Sequence, residues 1–164
     1  MAATTEGVYV LEFDILSDPN TALPAKDSIF MQFVISNGGS YTELIRLTYK
    51  GDGDIYFQTE QRGGDHGGKK GVFGTAKILD GQWHNVKFLY EKNGANTYLS
   101  LYVDGALVKR INTYYQDAST VVDSKVPDSI AWRIKEFTPA DDTATEMTYY
   151  MDNVNYYYVG TIAE

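Results

Sequence analysis

Short apolar runs, each broken by a turn signal after about ten residues, constrain this chain more than any other feature. The runs are rich in Val, Ile, Tyr, Phe and Thr, side chains that suit a pleated, half-buried surface. No segment of helical length carries apolar residues at helical spacing, so little helix is expected. The pattern predicts strands over Val8–Leu16, Ile29–Ser36, Thr42–Tyr49, Asp54–Glu60 and Gly71–Ile78. It predicts five more over Asn85–Glu91, Thr97–Val103, Ala106–Asn112, Ile130–Phe137 and Thr145–Val159, the last divided by a bulge near Asp152-Asn153. Asp104-Gly105 has the composition of a two-residue hairpin turn, and Lys50-Gly51-Asp52-Gly53 and Lys92–Asn96 read as hairpins too. The fold class that follows is all-β, an antiparallel sandwich of two sheets, in one domain over residues 1–164.

Two segments exceed what a minimal sandwich needs. The glycine-rich stretch Gly63–Gly71 reads as a surface loop. Thr113–Ser129 reads as a crossover between sheets, with a helical turn around Asp117–Val121. Long ordered loops on rigid sandwiches often carry function.

Composition narrows the function. A chain of 164 residues buries about two-thirds of its unfolded surface and needs no staples. The absence of cysteine removes disulfides, thiolate metal sites and Cys nucleophiles, and leaves the redox compartment open. A net charge of −8, with only 14 scattered Lys and Arg, argues against nucleic acid and anionic membranes as partners. No apolar run is long enough to span a bilayer as a helix. The opening Met1-Ala2-Ala3-Thr4-Thr5 reads as an initiator Met placed on a mature domain. The 14 tyrosines satisfy strand propensity, yet they also suit sugar binding, because a flat ring stacks on pyranose C–H faces while its hydroxyl stays wet.

The block Asp80-Gly81-Gln82-Trp83-His84-Asn85-Val86, followed by Leu99-Ser100-Leu101-Tyr102-Val103-Asp104-Gly105, resembles the laminin G-like branch of the concanavalin A-like lectin/glucanase superfamily. The resemblance implies a jelly roll in which Trp83 caps the sandwich edge and Val86, Phe88 and Tyr90 alternate inward. Tyr9–Ile15 and Tyr150–Val154 look like its opening and closing strands, which pair in that superfamily and bring the termini together. The fold hosts lectins, hydrolases, lyases and adhesion modules, so it does not fix the ligand.

Glu12-Phe13-Asp14-Ile15-Leu16 is similar to the carboxylate strand of laminarinase-type hydrolases, where period-2 spacing puts three acids on one face. Here the third position is Leu16, which leaves the acid and nucleophile pair incomplete. Glu12 and Asp14 are instead expected to be solvated on an edge strand. Only two histidines exist, His84 in a strand near a turn and His66 in the glycine stretch; neither has the Q-x-H pattern of a lyase, and two cannot build a catalytic zinc site without carboxylate help. The expectation is that the chain is not an enzyme.

Alternation assigns candidate binding faces. Arg46, Tyr56, Gln58 and Glu60, with Arg62 beyond, combine one aromatic platform with amide, carboxylate and guanidinium groups, the set that sugar recognition uses. A solvated face of cross-strand polar pairs is the plainer alternative. Trp132 with Arg133 is a second candidate, in which Trp132 is either core or an exposed platform. Tyr98 and Tyr102 form a third stripe, opposite Leu99 and Leu101. The resemblance also implies a structural calcium, with Asp152 on the last strand as a ligand. The function expected is a non-catalytic carbohydrate-binding module for a polysaccharide or oligosaccharide, extracellular, bacterial, and part of a larger secreted protein. A laminin G-like adhesion module is the alternative, and a polysaccharide lyase or glycoside hydrolase the third reading.

Overall fold

The computed structural model describes residues 7–18, 29–36, 43–50, 54–59, 71–93, 96–112, 129–134 and 148–160. Among them are ten strands and no helix: β1 (Gly7–Ser17), β2 (Ile29–Ser36), β3 (Glu43–Lys50), β4 (Asp54–Thr59) and β5 (Gly71–Thr75), then β6 (Trp83–Asn93), β7 (Asn96–Val103), β8 (Ala106–Asn112), β9 (Ser129–Ile134) and β10 (Tyr149–Gly160). They form two antiparallel five-stranded sheets, ordered β10-β1-β6-β7-β8 and β5-β4-β3-β2-β9. The expected helical turn at Asp117–Val121 and the Gly63–Lys70 part of the glycine stretch lie outside the described residues.

Alternation decides which side chains are buried. From β1 come Tyr9, Leu11, Phe13 and Ile15, from β6 Val86, Phe88 and Tyr90, and from β7 Leu99 and Leu101, all in one core cluster. Tyr49 of the second sheet belongs to the same cluster. Its hydroxyl donates to the Ala76 carbonyl at 2.5 Å and accepts the Ile78 N–H at 3.4 Å. That anchor explains why β5 leaves its ladder at Thr75 while Ala76 and Ile78 stay buried, where a strand running on to Ile78 was expected.

Two sequence signals appear as local geometry. Asp104 and Gly105 take φ of 51° and 76°, the pair of positive values a tight hairpin turn requires. The register of β10 against β1 slips between Glu12 and Asp14, where Asn153 takes φ 51° and its N–H donates to Asp152 Oδ1 at 2.7 Å. This is the expected bulge, held by a side-chain-to-backbone bond.

β1 is not the edge strand that its solvated carboxylates suggested. It lies between β10 and β6, and β10 takes the edge. Near the start of β1, Gly7 has φ 134°, and a Cβ there would run into the Tyr158 ring, which lies 5.0 Å from the Tyr9 ring. Gly7→Ala is therefore expected to lower stability by about 1–2 kcal/mol, through backbone strain and a displaced tyrosine. A shift of the urea midpoint at constant slope reads this out; an unchanged midpoint rules the close approach out.

Candidate functional site

The outward positions of the first sheet are Val8, Val10, Glu12, Asp14 and Leu16 on β1, with Leu89, Lys87, Asn85 and Trp83 beside them on β6. β10 adds Tyr157 opposite Val10, and β7 adds Tyr102 opposite Lys87. Between these two tyrosines lies a groove of about 460 Å³. Val8, Val10 and Leu89 line its apolar part, Tyr157 and Val159 one side, and Tyr102 and Gly105 the other, with Asn85 and Lys87 contributing polar groups. Tyr157 and Tyr102 stand three strands apart, roughly 14 Å at normal sheet spacing. Tyr157 is 44% exposed.

Two ion pairs cross this face. Lys87 Nζ lies 3.3 Å from Glu12 Oε1. Arg110 Nη2 lies 3.2 Å from Glu91 Oε2, and its guanidinium sits 4.4 Å from the centroid of the Tyr98 ring. Beyond the groove comes a carboxamide row. Asp14 accepts from Asn85 Nδ2 at 2.9 Å and from Asn153 Nδ2 at 2.6 Å. These two bonds, Asn153 first, hold the Asp14 carboxyl below its ordinary range.

Next to this row, the Asp80–Val86 motif closes on the Asp104-Gly105 hairpin through His84. Its Nδ1 lies 2.7 Å from Asp104 Oδ2 and its Nε2 lies 2.9 Å from Asp80 Oδ1. Ionised carboxylates only accept, so both ring nitrogens must donate and the geometry calls for imidazolium. Burial opposes that charge more than any other single factor. The two hydrogen bonds and the negative charges of Asp104 and Asp80 together outweigh it, and the pKa is raised. Both partners shift the other way, each chiefly through its bond to His84. Asp80 Oδ1 also accepts the Gln82 N–H, Asp104 Oδ1 the Asn85 N–H, and Ser17 Oγ the Gly81 N–H, so the clamp fixes a turn, a strand and a hairpin to one another. Sequence reading took His84 only as a strand residue near a turn. The four-residue step from Asp80 to His84 was the available signal.

Trp83 opens β6 at one end of the sheet. It has outward parity and is 51% exposed, while Val86, Phe88 and Tyr90 do point inward. Tyr98 and Tyr102 stand opposite buried Leu99 and Leu101 as alternation required.

The residues picked out on the second sheet are partly brought together. Arg46 pairs with Gln58, Tyr56 pairs with Thr48, and Arg133 reaches the Tyr56 row through Gln32. Trp132 pairs with Phe33. It lies one register position from Arg133, in the row of Phe33, Leu47 and Phe57. Glu60 and Arg62 lie outside the described residues. Asp152 sits on the β10 bulge, its Oδ1 engaged by the Asn153 N–H. Among the described residues no group of three or more His, Cys, Asp or Glu side chains is placed to hold a metal. No described helix is long and apolar enough to cross a membrane.

Comparison with known proteins places this geometry. No curated protein matches the sequence. The fold is similar to that of an endo-1,3-beta-glucanase from Streptomyces sioyaensis, at 14% identity and a TM-score of 0.59, covering 95% of this chain and 66% of the glucanase chain. It is similar to a family 7 alginate lyase, A1-II′, at 13% identity and a TM-score of 0.56, covering 98% and 64% of the two chains. Sheep galectin-11 matches at 16% identity and a TM-score of 0.52, over 81% of this chain and 93% of the galectin. This chain thus spans less than two-thirds of the lyase and about two-thirds of the glucanase, and at such identities the likeness is one of fold. A family model matches residues 20–157, from the segment before β2 well into β10, and by that match the chain belongs to the concanavalin A-like lectin/glucanases superfamily.

Proposed function

We propose that the chain is a non-catalytic carbohydrate-binding domain whose ligand occupies the groove between Tyr102 and Tyr157. The observation that carries this reading is the groove itself. Two tyrosines stand on either side of an apolar floor, with Asn85 and Lys87 beside them, on the outer face of a sheet in a superfamily of lectins and glucanases. Rings supply stacking and apolar area, while the amide and amine supply directional bonds to hydroxyls. Such a domain would meet its polysaccharide outside the cell, in keeping with the extracellular setting expected from the sequence.

The likeness to a lyase and a glucanase favours catalysis as a second reading. Chemistry on this face speaks against it. A glycosidase general acid needs a raised pKa, whereas Asp14, Asp80 and Asp104 are all lowered. Glu12 is ion-paired to Lys87, and the outward position after Asp14 is Leu16.

Affinity electrophoresis against soluble glucans, xylans, mannans and galactans tests the reading. At least one polysaccharide should retard the protein, and Tyr157→Ala should weaken that binding by roughly 10–100-fold through loss of a stacked ring. No retardation by any of them would refute carbohydrate binding and leave the adhesion reading. Release of new reducing ends or of unsaturated products from a bound polysaccharide would establish catalysis instead.

A further inference from the structure

Aromatic surface on the first sheet continues past the groove. At Leu16 the ladders set Tyr150 of β10 and Trp83 of β6 opposite β1 on either side. Both large rings are half in water, Trp83 at 51% and Tyr150 at 49% exposure, and neither belongs to the core cluster. Their inward-parity neighbours Tyr149 and Met151 pack against that cluster, so the outward placement of Tyr150 follows from the strand itself. The two ring positions are about 10 Å apart, one strand spacing on each side of Leu16, and lie roughly 20 Å along the strands from the Tyr157 row. Between platform and groove runs the Asp14–Asn85–Asn153 row of carboxylate and carboxamide groups.

We infer that this face binds an extended, uncharged glycan chain running along the strands, with a second subsite on Trp83 and Tyr150 distinct from the groove. The inference rests on the carbohydrate reading and names its ligand class. A single sugar cannot touch both aromatic groups; a chain can. Charge selects the neutral kind. The described cations of this face, Lys87 and Arg110, already oppose Glu12 and Glu91, and the platform end carries four carboxylates, Asp14, Asp80, Asp104 and Asp152, against the single positive charge of His84. A polyuronate lying along the strands would meet uncompensated negative charge there. A neutral chain presents C–H faces to the rings and hydroxyls to the carboxylates and amides.

Calorimetry with a length series of neutral oligosaccharides, beside alginate and pectate fragments, tests it. Affinity is expected to rise from disaccharides to long oligosaccharides, and binding of long chains should change the tryptophan fluorescence. Trp83→Ala should remove the gain with length, about tenfold, while disaccharide affinity stays unchanged. Trp83→Phe should restore part of the gain, and matching melting curves establish that the variants are folded. Equal affinity of wild type and Trp83→Ala for the longest chain overturns the second subsite. An equal loss at every chain length does so too, and tighter binding of the uronate fragments overturns the neutral ligand. If these oligosaccharides bind and only the length effect fails, the groove stands without the platform; if none binds, carbohydrate binding itself falls.

Discussion

Phe13→Ala is expected to lower the unfolding free energy by about 3–5 kcal/mol, the largest effect of any substitution considered, because it removes a ring from the centre of the core. Phe13 has no exposed surface. Its ring lies 6.4 Å from that of Phe88, stacked at an interplanar angle of 29°, and its backbone pairs with Val86. Since β1 is held on both sides, by β10 and β6, the strand cannot easily collapse into the space left behind. The cost should therefore include the cavity as well as the lost transfer free energy. Val159→Ala provides the comparison, since Val159 is 61% exposed and its truncation should shift stability by no more than about 0.5 kcal/mol. Urea unfolding of the two variants at one temperature checks both. Comparable losses would mean that β1 does not run through the core as described.

His84→Ala should cost about 2 kcal/mol at pH 6, from loss of two charge-assisted bonds and discounted because Asp80 and Asp104 are well exposed. The dependence on pH is the sharper measurement. His84 has a folded pKa raised above its ordinary value of 6.5, so its contribution is complete below that value and disappears as pH rises through the folded pKa. Asp80 and Asp104 are lowered from 3.8, so theirs is complete above that value and disappears as pH falls through their folded pKa values. The clamp is thus strongest between about pH 4 and 6.5 and weakens on either side. Wild type and His84→Ala should differ most inside this window and converge above it. A difference that stays constant from pH 6 to the alkaline side of the folded pKa would show that His84 is neutral and holds the loops by shape alone. His84→Gln, which can bond but carries no charge, should show little of the alkaline decline.

These residues also show where sequence reading succeeds. Strands Ile29–Ser36 and Ala106–Asn112 have the bounds that alternation assigned them, because both depend on short-range information. The Asp104-Gly105 turn and the Asp152-Asn153 bulge were legible for the same reason: residue type and required backbone angle are local matters. Sheet order is not local. Glu12 and Asp14 looked like edge-strand carboxylates because nothing within β1 announces that β10, well over a hundred residues later, covers its free side.

The grouping of candidate residues depends on the same distinction between local and distant pairing. Arg46, Tyr56 and Gln58 were readable as a group because adjacent hairpin strands carry them. The Tyr102 side of the groove was visible in the Tyr98–Tyr102 stripe. Its Tyr157 side required the β1–β10 pairing that the superfamily resemblance implied, carried through to individual register positions.

That pairing has a consequence for engineering. Val8 stands opposite Gly160, so the first and last described strands begin and end at one corner, roughly 26 Å along β1 from the Leu16 row. A unit whose two ends meet can be spliced into an exposed loop of a host protein through short tethers, without pulling its sheets apart. Such a graft would hang from the Gly160 corner and leave the Trp83 end of the sheet pointing away from its host.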